Sequence, residues 1–195
     1  MAETVGASRR GGLLLLWLGL AGMMACEVLL FAELGGALPA GRWELAGEFV
    51  RGNMTPVSWC FYLVFALGLL RWMDGVSFLG RYRNRLLVCW LWSVPAWCYF
   101  DVMNFYFMRN RATGLRAWEY VNLPEAFSSR VVGYLVAFGA IAPGMFLTAE
   151  ILQRVGFWRL TVGGKAPRTE PGKSKIERAT AIGVFILGLA LAPIP

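Results

Sequence analysis

The sequence predicts an all-α polytopic transmembrane bundle with about five spans and a cytoplasmic N-terminus. Hydrophobic residues make up 57% of the 195 residues and charged residues only 16%, against roughly 25% charged residues in an average soluble domain. The apolar residues are collected in long runs, and most Lys and Arg residues lie between the runs. A soluble fold of this length has too little interior to hide so much apolar surface, so we expect a lipid bilayer around these segments.

Five runs are predicted as spans because of their length and composition. They cover residues 13–32, 57–72, 86–108, 131–152 and 179–195 of one predicted membrane domain, and a basic linker, 153–178, precedes the last run. About twenty helical residues cross roughly 30 Å of hydrocarbon, so the first, third and fourth runs are long enough. The second run is short, but Trp59 and Trp72 at its ends are typical interfacial anchors.

The distribution of basic residues predicts the orientation. With five spans, thirteen of the 19 Lys and Arg residues fall on the side of the N-terminus and six on the other side. Because cytoplasmic loops carry the excess of Lys and Arg, the N-terminus and the basic linker 153–178 are predicted to be cytoplasmic, with anionic lipid head groups as partners of the linker.

The last apolar run is short and has no polar residues after it. Residues 179–195 barely cross a bilayer and close on Pro-Ile-Pro without a polar tail. We therefore expect that the natural polypeptide continues beyond Pro195, or that a partner buries this helix.

Composition also bears on cofactors and partners. The sequence contains no histidine, and its four cysteines lack metal-type spacing, so we expect no metal site and no cofactor ligated by this chain alone. The net charge of +7 is spread between apolar runs and does not form an aromatic-interleaved patch, which argues against nucleic acid as a partner.

Small residues in two runs predict close helix packing. Gly19, Gly22 and Cys26 form one stripe on the first run, and Ala140 and Gly144 form another on the fourth. In membranes, small residues allow two helix backbones to approach each other. These stripes are therefore predicted to be packing surfaces.

Two prolines and one charged pair complete the features inside the long runs. Pro95 and Pro143 each remove a helical hydrogen bond and predict a kink, either as a packing accommodation or as a functional hinge. Glu150 and Arg154 have the i, i+4 spacing of an ion pair, here predicted at the membrane interface.

A costly charge stands in the third run, at Asp101, with Asn104 three residues later on the same helical face. Asp101 is predicted about 22 Å along the third span and Glu27 about 21 Å along the first, so the two acids are expected to be level. Glu27, Asp101 and Asn104 are the candidate polar site inside the membrane. The two acids are expected to share a proton, hold a cation or meet a basic residue of a partner, or else Asp101 reaches interfacial water and pairs with Arg109 or Arg111.

One combination of residues runs through the second half of the chain: Phe100, Asp101, Asn104, Trp118, Tyr120, Pro124, Ala140, Pro143, Phe146, Thr148, Ala149 and Glu150. This combination resembles an uncharacterised group of bacterial multi-pass membrane proteins. The resemblance implies a bacterial inner-membrane protein, no assigned activity, and relatives that continue beyond five spans.

Three function hypotheses follow from these observations. The first is a non-enzymatic subunit that packs against other membrane subunits and stabilises a larger complex of the bioenergetic type, because the sequence has packing stripes but no complete catalytic motif. The second is an ion or small-solute carrier that uses Glu27, Asp101 and Asn104. The third is a membrane-embedded lipid-modifying enzyme.

Overall fold

The computed structural model describes residues 2–108, 114, 118–120, 123–156, 183 and 186. In these residues all regular structure is helical. Helix α1 covers Ala2–Leu34, α2 Arg42–Asp74, α3 Phe78–Val102 and α4 Phe127–Val155, and α3 continues into a π-helical turn, Met103–Phe107. The predicted all-α class is therefore confirmed.

Each of the four described helices includes a segment that is long and apolar enough to cross a membrane. Apart from residues 183 and 186, the fifth predicted span, 179–195, falls outside the described ranges, as does most of the basic linker. A total of five spans and the cytoplasmic N-terminus remain predictions.

The helices pack side by side in the order α1, α2, α4, α3. Neighbours in this order are antiparallel for α1 and α2 and for α4 and α3, whereas α2 and α4 run in the same direction. We call the end where α1 ends and α2 and α4 begin the loop end, and the end where α2 and α4 finish and α3 begins the turn end. A buried core joins α1, α2 and α4 through residues such as Leu16, Met23, Phe65, Leu69 and Leu147.

Glycines set the close contact between α1 and α2. A Cβ at Gly12, Gly19 or Gly68 would run into the backbone of the opposite helix. At Gly22 a Cβ would instead meet the ring of Phe61. The stripe predicted at Gly19 and Gly22 therefore faces α2, and buried Cys26 lies one turn beyond Gly22.

Helix α2 is longer than the predicted second span and is bent. It begins at Arg42, well before residue 57, and Asn53 has non-helical torsion angles of φ −131° and ψ 22°. Pro56 lies three residues later and has no amide hydrogen to donate to Gly52, which accounts for the kink. The Asn53 side-chain amide donates to the carbonyl of Phe49 at 3.0 Å.

The contact between α3 and α4 is built around Ser93. Its hydroxyl donates to the carbonyl of Phe138 and accepts from the amide of Ala142 at 3.1 Å. Those two backbone groups are the i and i+4 partners that a regular helix joins directly. The Ser93 side chain thus bridges the ladder of α4 one residue before Pro143, close to where α3 contains Pro95.

Small residues let the aromatic side chains of α3 and α2 pack onto α4. A Cβ at Gly139 would meet the indole of Trp90, and a Cβ at Gly144 would meet that of Trp59. Ala140 is buried as well. Ala140 and Gly144 thus belong to the packed surface of α4.

Candidate functional site

The loop end of α3 carries the polar residues that the sequence marks as unusual. Asp101 is half-buried, and Asn104 is fully buried at 0% exposure. Both lie on the packed stripe of α3 that includes Ser93 and Trp97, and Asn104 falls in the π-helical turn. The Met108 amide donates to the Met103 carbonyl at 2.8 Å, the i to i−5 bond of that turn. Single π-turns of this kind are rare and often occur at functional sites.

Asp101 accepts two hydrogen bonds on one oxygen. The indole Nε1 of Trp118 donates to its Oδ1 at 3.1 Å, and the hydroxyl of Tyr120 donates to the same oxygen at 2.7 Å. Both donors come from the segment between α3 and α4. Within the described ranges, the Asp101 carboxylate thus has two donors, neither of which belongs to a basic side chain.

The side chain of Asn104 binds the backbone of the same segment. The side-chain amide nitrogen donates to the carbonyl of Trp118 at 2.8 Å, and the backbone amide of Trp118 donates to Asn104 Oδ1 at 3.2 Å. One side-chain amide thus satisfies both main-chain groups of one residue. We call Asp101, Asn104, Trp118 and Tyr120 the loop-end cluster.

Tyr120 connects the loop-end cluster to α4. Its ring centroid lies 5.7 Å from that of Tyr134 and 6.1 Å from that of Phe105. Burial raises the pKa of Tyr120, and the hydrogen bond to the Asp101 carboxylate and its negative charge raise the pKa further. The phenol therefore remains protonated, and it remains a donor, across the physiological range.

The structure brings Asp101 and Asn104 together but does not bring Glu27 to them. Glu27 lies on α1, which packs along α2, whereas Asp101 lies on α3, which packs along α4. Equal height along two helices does not make them neighbours, and here α2 and α4 lie between them. The alternative pairing of Asp101 with Arg109 or Arg111 concerns residues outside the described ranges.

A second polar cluster closes the turn end of the bundle. Arg154 Nε donates to Asp74 at 3.0 Å and 2.8 Å, its Nη2 lies 2.8 Å from Asp74 Oδ2, and its Nη1 lies 2.6 Å from Glu150 Oε2. The guanidinium also lies 5.6 Å from the centre of the Phe78 ring. The Glu150–Arg154 pair expected from spacing is thus present, and Asp74 makes it a triad. This triad ties the end of α2 to the end of α4.

Sequence reasoning did not assign Ser93, Asp74 or the hydrogen bonds of Trp118 and Tyr120. Two donors seventeen and nineteen residues after a membrane acid are visible in the sequence, but only the fold shows that they return to it. Ser93 carries no periodic signal, because its partners are backbone groups of another helix.

The described residues define a class of protein rather than an activity. They form a helical bundle with four helices able to cross a membrane by length and composition, with a polar cluster at each end. Within the same residues no group of three or more Cys, Asp and Glu side chains is arranged to hold a metal ion. No known protein family, curated protein or solved structure matches the chain.

Proposed function

We propose that this chain is a non-enzymatic integral membrane subunit that packs against other membrane helices and stabilises a larger complex of the bioenergetic type. The observation that carries the proposal is the one-sided packing of α3. Only three residues of α3, Phe78, Leu86 and Ser93, are buried. The opposite side presents large side chains such as Trp92, which is 73% exposed, together with Leu91 and Tyr99.

Pro95 adds a physical reason for a partner on this side. It is exposed, and it has no amide hydrogen, so the carbonyl of Leu91 loses its regular helical donor. Backbone groups that lose a partner in the hydrocarbon layer are normally satisfied by a neighbouring helix, a side chain or water. A partner helix against Leu91 and Trp92 provides both apolar contact and a donor.

The two polar clusters support a structural role. The carboxylates of Asp101, Asp74 and Glu150 each engage groups of this chain. Side chains that hold helix ends and a connecting segment in place make a rigid scaffold. A rigid scaffold in which one side of α3 is left unpacked is suited to assembly.

Site-specific photocrosslinking in native membranes tests the proposal. A photoreactive amino acid replaces Trp92 on α3 in one variant, and Trp17, an equally large exposed residue on α1, in the control. We expect discrete protein adducts from position 92 and lipid adducts alone from position 17. Adducts that contain only lipid at both positions would contradict a partner on α3.

The carrier hypothesis is favoured by one observation. Both hydrogen bonds to Asp101 use Oδ1, and no bond to Oδ2 occurs within the described ranges, so a cation could still approach that oxygen. Reconstituted vesicles should then show solute or ion flux that is lost in Asp101→Asn. The subunit proposal expects no such flux in either protein.

A further inference from the structure

Two arginines near the start of α3 lie beside one aromatic ring. The central carbon of each guanidinium group, in Arg81 and in Arg85, lies 5.4 Å from the centre of the Tyr82 ring. The three side chains therefore share one part of the turn-end surface. We call Arg81 and Arg85 the arginine pair.

The Tyr82 ring is held in place by the core of the bundle. It stacks on the ring of buried Phe78, with 4.3 Å between the ring centres. Its centre also lies 6.3 Å from that of the Phe146 ring on α4. A guanidinium group is attracted to an aromatic face, so a ring fixed by two helices holds both members of the arginine pair at one place.

The arginine pair brings two like charges together without a counter-charge. Residues four apart on a helix are neighbours, so the two guanidinium groups repel each other. Asp74 and Glu150, the carboxylates described at the turn end, bind Arg154, and within the described ranges no ion pair involves Arg81 or Arg85. An anion from outside the chain relieves this repulsion, and guanidinium groups bind phosphate oxygens with paired hydrogen bonds.

The arginine pair lies at the depth of lipid head groups. The apolar segment Phe78–Phe107 has 30 residues, which corresponds to a length of about 45 Å. A bilayer measures about 30 Å across its hydrocarbon core and about 40–45 Å with its head groups. The ends of the segment therefore reach the head-group layers, and the arginine pair belongs to its first turns. Exposed Val88 follows one turn deeper, where acyl chains lie.

We propose that the arginine pair binds the phosphate of one anionic phospholipid, whose acyl chains lie beside Val88. Exposed Arg9 and Arg10 on α1 add positive charge at the same end of the bundle, which favours a head group with a net negative charge. A phospholipid presents its phosphate at this depth, whereas an acidic segment of a partner has to enter the head-group layer. The site is separate from the basic linker 153–178, and it does not depend on the proposed role as a subunit.

Native mass spectrometry of the full, delipidated chain in detergent tests the chemistry of the ligand. Phosphatidylglycerol and diacylglycerol with identical acyl chains differ in the phosphate-containing head group. We expect one phosphatidylglycerol per chain, retained about tenfold more strongly than diacylglycerol, because only the first offers charge-assisted hydrogen bonds. Equal retention of the two probes overturns the phosphate assignment. Displacement of phosphatidylglycerol by equimolar glycerol phosphate would show a site for a soluble phosphate and overturn the lipid.

Three variants with the same loss of charge locate the site. Arg81→Gln and Arg85→Gln should each lower retention of phosphatidylglycerol about tenfold and leave retention of diacylglycerol unchanged. Arg83 is equally exposed, but it lies two residues from either member of the pair and therefore on the other side of α3. Arg83→Gln is the matched control and should leave retention unchanged. Equal losses in all three variants would show a diffuse effect of net charge and overturn the site.

A bilayer experiment repeats the comparison with the membrane in place. The chain is reconstituted in vesicles of phosphatidylcholine with phosphatidylglycerol as a minor component, and the phospholipid that remains after purification is counted. We expect one phosphatidylglycerol per chain, which is lost when Arg81→Gln and Arg85→Gln are combined. Arg9→Gln combined with Arg10→Gln removes two exposed charges from the same end of the bundle and should keep the lipid. Loss of the lipid in both double variants, or in neither, overturns the proposal.

Discussion

Replacement of Asp101 tests the most specific claim about the loop-end cluster. Asp101→Leu removes the acceptor of the Trp118 indole at 3.1 Å and of the Tyr120 hydroxyl at 2.7 Å. Hydrogen bonds to charged groups contribute roughly 1.5–3 kcal/mol each when buried. Because Asp101 is only half-buried, we take the lower end and expect about 3 kcal/mol lost from the local stability of residues 118–120.

Amide hydrogen exchange in nanodiscs measures that loss directly. The Trp118 amide is bonded to Asn104, so its exchange reports opening of the segment. A loss of about 3 kcal/mol corresponds to roughly a hundredfold faster exchange. Asp101→Asn keeps an acceptor oxygen of similar shape and should accelerate exchange only about tenfold.

Tyr120→Phe is the matched control for this experiment. It removes one of the two donors and retains the ring contacts with Phe105 and Tyr134, so its exchange rate should fall between those of the two Asp101 variants. If exchange at Trp118 is unchanged in Asp101→Leu, the carboxylate does not hold this segment and the reasoning is refuted.

Four further outcomes are expected. Because the pKa of Tyr120 is raised above its ordinary 10.0, the stability that this side chain contributes is present below pH 10 and is lost as the pH rises toward the pKa of the folded state. Indole fluorescence should therefore report release of the segment only in alkali. Ser93→Ala leaves two backbone groups of α4 without their bridge and should cost about 1–2 kcal/mol in unfolding in detergent. Gly19→Ala forces α1 away from the backbone of α2 and should cost about 1–3 kcal/mol by the same measurement. Arg154→Gln removes the ion-pair contacts of Arg154 with two partly buried carboxylates and should cost about 2–3 kcal/mol, measured as a lower midpoint of thermal unfolding.

Each of these outcomes has a control. Tyr120→Phe should abolish the alkaline transition, and its persistence would assign the transition to another group. Gly133→Ala adds the same methyl group in open space and should stabilise the helix by about 0.5–1 kcal/mol, so equal losses at positions 19 and 133 would contradict a specific clash. Ser93→Thr retains the hydroxyl and Arg154→Lys the charge. Each should recover part of the loss, and no recovery would contradict the bridge or the triad.

The sequence predicts the class of the fold well because the relevant signal is local. Apolar runs near twenty residues require helices in lipid, and the stripe at Gly19 and Gly22 does face a neighbouring helix. The beginning of α2 was harder to predict from the sequence. Residues 42–55 contain four charges and precede Pro56, a pattern typical of a loop, whereas in the structure the helix continues through the bend at Asn53.

Contacts between distant segments explain what the sequence could not predict. Gly68 and Gly12 are separated by most of two helices, and their match depends on the register in which α1 and α2 pack. Ser93 acts on the backbone of α4, which has no residue-type signature. Asp74 completes the Arg154 triad only because α2 and α4 run in the same direction and end together.

The loop-end cluster suggests a structural role for Asp101, an acid within an apolar segment. An ionised carboxylate inside a membrane normally demands a proton, a cation or a basic partner, and those were the expected solutions for Asp101. Among the described residues, an indole and a phenol donate to Asp101, and the raised pKa of Tyr120 keeps its phenol a donor. Asp101 is therefore best understood as the acceptor that fixes residues 118–120 over the ends of α3 and α4. If Asp101→Asn both loosens this segment about tenfold and leaves every flux assay unchanged, the charge serves the architecture alone. If residues 118–120 in Asp101→Asn exchange as slowly as in the unmodified protein while flux disappears, Asp101 takes part in transport.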